Sequence, residues 1–352
     1  MLNLLNKTNK ELLNKKILGV FAALSSFILA LALSSCGQGD ADKNAAPDAP
    51  KFWPLTHILA TDVADRPAVS VKIENDPDAR PQTGLQDADI VWETMIEGGV
   101  TRFIAVFNSK MPKTVGPVRS LRIADGPIVS PMNGLIVFSG SNGQRFQQVA
   151  RDAGTQTIEE DAGAKGFFRE GLNAPHNDYY TLQDALDQAD NEHKKAPNSQ
   201  FLYTQTDQPS TAELVGVSAT KMTDVMSGMF TTKWEYDAKD KTYKRFQDDS
   251  PFIDKLTNKQ ITAKNVIALE MGTKGTPEID PAGHPEMEME AVGKGDGKIM
   301  VGGKILDIKW EKKDAKTLLS FTTLDGKEVL LSPGNTWIVL VPKNDGGSIS
   351  YK

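Results

Sequence analysis

A single cysteine, Cys36, serves the whole 352-residue chain, and only four histidines accompany it. One thiol cannot build a disulfide framework. His57, His176, His193 and His284 fall at no metal-ligand spacing, so neither a metal nor a cofactor is expected. Positive charge is also short: 40 Lys and Arg stand against 46 Asp and Glu, a net charge of -6. Nucleic acid demands a basic footprint, and that partner class is excluded. There is no heptad run, no internal repeat and no second long apolar stretch after the first 35 residues.

That first stretch is patterned. Lys7, Lys10, Lys15 and Lys16 with one Glu11 precede an uncharged run from 17 to 33. A basic leader followed by an apolar core is the layout of a secretory signal. The core ends in Leu33-Ser34-Ser35-Cys36-Gly37, which resembles the lipobox cut by lipoprotein signal peptidase. The expectation is cleavage before Cys36, lipid on its thiol, and anchoring at the extracytoplasmic face of the cell membrane. Cleavage removes four lysines and one glutamate, taking the net charge from -6 to -9. With so acidic a body, the lipid must do the anchoring. Residues 36–51 hold small, polar and proline residues that bury little, so they read as a flexible tether.

Beyond it the pattern predicts an α+β protein, an α/β-like N-terminal layer domain over 52–205 and a mainly β domain over 221–352, joined by a linker at 206–220. In the first part, strand-like runs at 68–73, 89–95, 102–107 and 135–138 alternate with helical patterns at 118–129 and 143–152. The second shows short alternating runs, including a hairpin around Asp237-Ala238-Lys239-Asp240, and suggests a small sandwich or barrel. Gly272–Gly297 reads as a long polar loop, and Trp310 and Trp337 as core aromatics.

Chemistry-capable groups concentrate in the first domain. Glu93 and Glu97 flank Gly98-Gly99 and Arg102, and Gly116-Pro117 leads into Arg119 and Arg122. On the predicted helix those two arginines share a face, where they could grip a phosphate or carboxylate, or else pair with Glu93, Glu97 or Asp125. The turn Ser139-Gly140-Ser141-Asn142 follows a strand and suits an anion-binding backbone nest. His176-Asn177 sits in a polar loop where a histidine can act as base or ligand contact. A binding site for an anionic wall polymer, peptide or envelope protein is the favoured reading. A hydrolase or transferase using Glu93, Glu97 or His176 is the alternative.

These segments together resemble the YerB-type lipoproteins, a bacterial family of unknown function. The resemblance runs through Arg66-Pro67, Asn75, Arg80-Pro81-Gln82-Thr83-Gly84-Leu85, Glu93, Glu97-Gly98, Thr101-Arg102-Phe103, Gly116-Pro117-Val118-Arg119-Ser120, Arg122 and Pro175-His176-Asn177. It continues through Trp234, Tyr236, Tyr243, Arg245, Asn265-Val266, Trp310 and 332–338. It implies a lipoprotein signal and a two-domain layout, and supplies no reaction. One departure lies before Asp254, where Phe252-Ile253 stands in place of an expected histidine.

Overall fold

Runs rich in β-branched and aromatic residues build the central feature. The computed structural model describes residues 50–141, 144–279, 283 and 285–352, and Pro50–Lys352 forms one unit. Its strands are β1 (Val69–Glu74), β2 (Ile90–Met95), β3 (Thr101–Phe107), β4 (Leu135–Phe138), β5 (Gln156–Glu159), β6 (Phe167–Arg169), β7 (Asp178–Thr181), β8 (Lys221–Val225), β9 (Thr231–Asp237), β10 (Thr242–Gln247), β11 (Asn265–Met271), β12 (Thr273–Ile279), β13 (Pro285–Met289), β14 (Gly293–Val301), β15 (Lys304–Lys312) and β16 (Thr336–Pro342), besides several shorter ones. The helices used below are α1 (Asp125–Val129), α2 (Gln144–Asp152), α3 (Leu182–Gln188) and α4 (Thr211–Val215).

An eleven-stranded sheet runs β15-β14-β11-β16-β2-β3-β1-β4-β5, with two short strands on the β15 edge. Every residue of β1, β2, β3, β4 and β16 is buried, as expected of strands covered on both faces. β16 pairs in parallel with β11 on one side and with β2 on the other. One sheet therefore crosses from the first half of the chain to the second. A six-stranded sheet is built around β8, β9 and β10, which are inserted in sequence between β5 and β11 of the large one.

Side-chain period two decides which charges meet which layer. Glu93, Phe103 and Trp337 emerge on the face met by Trp234 and Arg245 of the second sheet. Their neighbours Thr94 and Lys72 emerge on the opposite face, where Lys72 reaches Asp125 of α1.

Several expectations change. Strand accounts for 43% of the residues and helix for 13%, so the chain is mainly β rather than an α/β layer followed by a β domain. The 118–129 helix shrinks to α1. Upstream of it, Val118 pairs with Ile73 and Leu121 with Ser141 as bridges, and the Arg119 N–H is taken by Lys72 O at 2.9 Å. Sheet-like bonding there outcompetes the helix. Gly272–Gly297 is not a loop: β12 and β13 form a hairpin with Thr273 opposite Met289, and β14 follows it. The 206–220 stretch carries α4, closed by a capping box in which Ser210 and Glu213 satisfy each other's backbone N–H. Trp310 and Trp337 are buried as core residues, so neither presents an open face to a sugar ring.

Candidate functional site

The strands β1, β2, β4 and β5 run in one direction, with β3 antiparallel between β1 and β2. Their carboxyl ends therefore share one edge with the start of β3. That edge of an open sheet is where ligands usually bind, because chain crossings leave a crevice there. It collects Glu74 from β1, Glu97 after β2, Arg102 from β3, Ser139 after β4 and Glu160 after β5.

Glu97 is placed by a tight turn in which Gly98 and Gly99 take φ of 70° and 72°, a region open to glycine at little cost. The turn carries it to Arg122. Arg122 Nε donates to Glu97 Oε2 at 2.8 Å and Nη2 to Oε1, with both residues only 8% or less exposed. Glu286 from β13 approaches the same guanidinium at 4.0 Å, so the hairpin packs over Arg122. Arg119 Nε donates to Glu74 Oε1 at 2.9 Å, and the other Glu74 oxygen meets His176 Nδ1 at 3.1 Å. Asp125 does not pair with an arginine side chain; it accepts the Arg122 N–H at 2.7 Å and holds buried Lys72, also at 2.7 Å. Burial pushes the Lys72 amine down to about 8, with Asp125 opposing that shift.

Arg102 differs from its neighbours. It is 8% exposed, and its guanidinium makes one hydrogen bond, from Nη1 to Ser120 O at 3.1 Å. Among the described residues it has no salt bridge. Burial, together with the positive charges of Arg122 and Arg119, pulls its pKa down to about 9, while Glu97 and Glu74 partly offset this. It is still charged at neutral pH, and a fresh anion would relieve it.

At the β4 and β5 ends, Ser139 Oγ donates to Glu160 Oε2 at 2.5 Å, and Arg169 of β6 holds Glu160 at 2.8 and 3.0 Å. Buried Asp178 of β7 is pushed up to about 7 by burial, reinforced by Glu160. The expected nest at Ser139-Gly140-Ser141 is partly used up. The Ser139 N–H donates to Arg119 O at 3.2 Å, and Ser141 Oγ accepts from Gln147 at 3.0 Å. Gly140 adopts φ of 78° and gives its carbonyl to Leu121 N–H. Asn142 and Cys36 lie outside the described residues. Asn177 Oδ1 accepts from Arg169 at 3.3 Å.

Glu93 does not join this edge. It points to the opposite face from Arg102, because Phe103 stands across from Glu93 and Thr94 across from Arg102 in the register. It is fully buried, accepting from Arg245 Nη2 at 2.9 and 3.0 Å, Trp337 Nε1 at 3.1 Å, and Thr101 and Thr232 at 3.2 Å each.

Family models decide the chain's kinship. Residues 55–196 match the N-terminal domain and residues 220–338 the C-terminal domain of a protein of unknown function, DUF3048. The chain belongs to the DUF3048 family. It is 31% identical over 342 residues to "Putative lipoprotein YerB" of Bacillus subtilis (strain 168), spanning 96% of this chain and 98% of that protein. The crystal structure of the YerB protein from Bacillus subtilis aligns with a TM-score of 0.71 at 29% identity, over 85% of this chain and 99% of that one.

Within this DUF3048 chain, sequence reasoning overlooked Glu74, Glu160 and Asp178. Their signal was position: Glu74 closes one parallel strand, Glu160 directly follows another, and Asp178 follows the His176-Asn177 pair. It also set metals aside on spacing alone, whereas the fold brings Asp76 and Asp78 to His176 with ligand-capable atoms within 4.8 Å of one another. No helix among the described residues is long and apolar enough to cross a membrane. A groove of about 620 Å³ lies away from the arginine edge, between Val217, Leu306, Leu324 and Tyr351.

Proposed function

We propose that this protein is a lipid-anchored, extracytoplasmic lipoprotein that binds an anionic cell-envelope ligand at the arginine edge of its sheet. The lipobox-like Leu33–Gly37 segment and the name of the Bacillus relative support the anchor at Cys36. Residues 36–51 then tether the folded body within reach of the wall. Replacing Cys36 with Ala should move the protein from the membrane to the soluble fraction and leave the leader uncleaved. Normal processing with membrane retention would sink the anchor.

The observation that carries the binding reading is Arg102: a buried guanidinium with one backbone partner, between two arginines already paired with Glu97 and Glu74. Guanidinium favours phosphate or carboxylate through paired N–H donors, so the ligand is a wall polymer, peptide or envelope protein bearing such groups. Charge-assisted hydrogen bonds contribute about 1.5–3 kcal/mol, so Arg102→Gln should weaken co-sedimentation with purified wall fragments roughly 10- to 100-fold. Unfolding midpoints of the two proteins control for folding, and fragments stripped of phosphate-bearing polymer separate phosphate from carboxylate recognition. Unchanged retention of a folded Arg102→Gln protein refutes the reading.

The hydrolase or transferase alternative draws less support. Glu93 is sealed on the far face, Glu97 is held by Arg122, and His176 is bonded to Glu74 rather than to Glu93, Glu97 or Ser139.

A further inference from the structure

His176 has a surrounding that the anion-binding reading does not use. Asp76 and Asp78 belong to the turn that leaves β1, and His176 lies about a hundred residues later in the loop before β7, yet their ligand-capable atoms all fall within 4.8 Å. We propose that Asp76, Asp78 and His176 form a divalent transition-metal site, with Zn2+ as the ion that fits best and Glu74 as the residue that orients the imidazole.

The histidine is already set for such a role. A carboxylate only accepts hydrogen bonds, so the Glu74 Oε2 contact at 3.1 Å puts the ring proton on Nδ1. In the neutral ring Nε2 then carries the lone pair for a ligand. Histidines that hold metals commonly donate their other nitrogen to a carboxylate, which fixes the ring and raises its basicity. Glu74 is itself fixed, being 4% exposed and bound by Arg119 at 2.9 Å. This brace stands outside the three ligands and exists without any ion.

The two aspartates are available. Asp76 Oδ1 accepts the Asp78 N–H at 2.9 Å, which leaves Oδ2. Neither has a salt bridge among the described residues. Arg80, the nearest arginine along the chain, is turned to Asn75 at 2.9 Å and stacked on Phe230 at 5.4 Å. Tetrahedral zinc with bonds of about 2.0–2.1 Å needs donor atoms about 3.3 Å apart. The exposed Asp78 side chain can supply that contraction by rotation.

Donor chemistry chooses the ion. Two carboxylate oxygens with one imidazole nitrogen suit zinc or manganese. Calcium requires six to eight oxygens, which this turn does not offer. Three protein ligands leave at least one position for water or a ligand atom, so the site is of the open type.

The test is a calorimetric titration of chelator-stripped, detergent-solubilised full chain with zinc chloride, with Mn2+ paramagnetic resonance as a second readout. The expected result is one zinc per chain, lost in His176→Ala and weakened 10- to 100-fold in Glu74→Gln, the usual effect of removing a histidine's orienting partner. Asp78→Asn alters an exposed side chain, keeps the fold, and should weaken binding at least tenfold. Wild-type protein that takes up no zinc, or zinc binding unchanged in both His176→Ala and Asp78→Asn, overturns the proposal. Neither result bears on wall retention by Arg102.

Discussion

Replacing Arg245 with Met tests what the buried charge on the closed face of the sheet is for. Arg245 and Glu93 are both fully buried. Glu93 also accepts from Trp337, Thr101 and Thr232, while the guanidinium lies 4.0 Å over the Phe252 ring and 5.0 Å from that of Trp337. Asp224 sits nearby with neither oxygen hydrogen-bonded, and burial, with Glu93 adding to it, pushes its carboxyl well upward. That shift disfavours its charge, so Glu93 is the carboxylate that Arg245 holds by hydrogen bonds. Removing the arginine leaves Glu93 as a buried carboxylate with three neutral donors and no counter-charge. Breaking one side of a buried pair costs about 3–5 kcal/mol. For a unit of this size, at about 2 °C per kcal/mol, the melting temperature should fall roughly 6–10 °C. The guanidinium also stacks on these rings as a cation, and removing that attraction pushes the fall toward its upper end. Urea denaturation of the wild type, Arg245→Met, Glu93→Leu and the double variant completes a cycle. The double variant should be less destabilised than the sum of the singles by at least about 1.5 kcal/mol. A loss under about 1 kcal/mol for Arg245→Met, or additivity within about 0.5 kcal/mol, would show that the pair does not brace the two sheets.

Three further outcomes follow from local geometry. Asp178 titrates at about 7 in the fold against an ordinary value of 3.8, so the unfolded chain gives up this proton first and the contribution to stability falls as pH rises between about 4 and 7. Asp178→Asn should flatten that fall in denaturation curves taken across the window, and an unchanged slope would contradict it. Gly116→Ala should destabilise by about 1–3 kcal/mol, because Gly116 holds φ of 150° and an added Cβ would meet Tyr179 Cδ1 at 2.8 Å and Asp178 O at 2.9 Å; thermal unfolding reads it. Gly163→Ala, with open space around its Cβ position, controls for backbone strain alone and should cost less.

The strands were legible because their signal is local. β1, β2, β3 and β4 come within a residue of the runs at 68–73, 89–95, 102–107 and 135–138, and the β9–β10 hairpin turns at the expected Asp237-Ala238-Lys239-Asp240. What stayed hidden depended on pairing. The Gly116–Arg122 segment carries a helical spacing, and only the neighbouring Lys72 carbonyl and the Ser141 bridge hold it extended. The Gly272–Gly297 stretch is dominated by Gly, Pro and charged residues, yet cross-strand pairing and the burial of Glu286 and Met289 order it as a hairpin. The arginines were found, but their partners were not all foreseen. Arg122 takes Glu97, as spacing allowed, whereas Arg119 takes Glu74, which closes a strand forty-five residues earlier.

One alternation along β2 and β3 separates two kinds of charge in this family's motifs. Residues from distant segments, namely Asn75, Gln82, Glu93, Thr101, Arg245 and Trp337, converge on a single hydrogen-bonded core behind the sheet. Phe252 stands where a histidine was expected, and its ring lies against Arg245 in that core. Those residues are spaced far apart because they join the two halves. Arg102 sits one register position from Phe103 and so faces away from that core, with Arg119, Arg122, Glu74 and His176 around the same edge. A sealed charge with four partners has no capacity left for a ligand, whereas a guanidinium with one partner has. The lipid anchor proposed at Cys36 would then hold the envelope-facing body by its tether while the arginine edge does the binding. Substitutions in the core should lower stability with wall retention intact in the folded fraction. Arg102→Gln should do the reverse, and a variant set that failed to separate in this way would break the division drawn from the strand register.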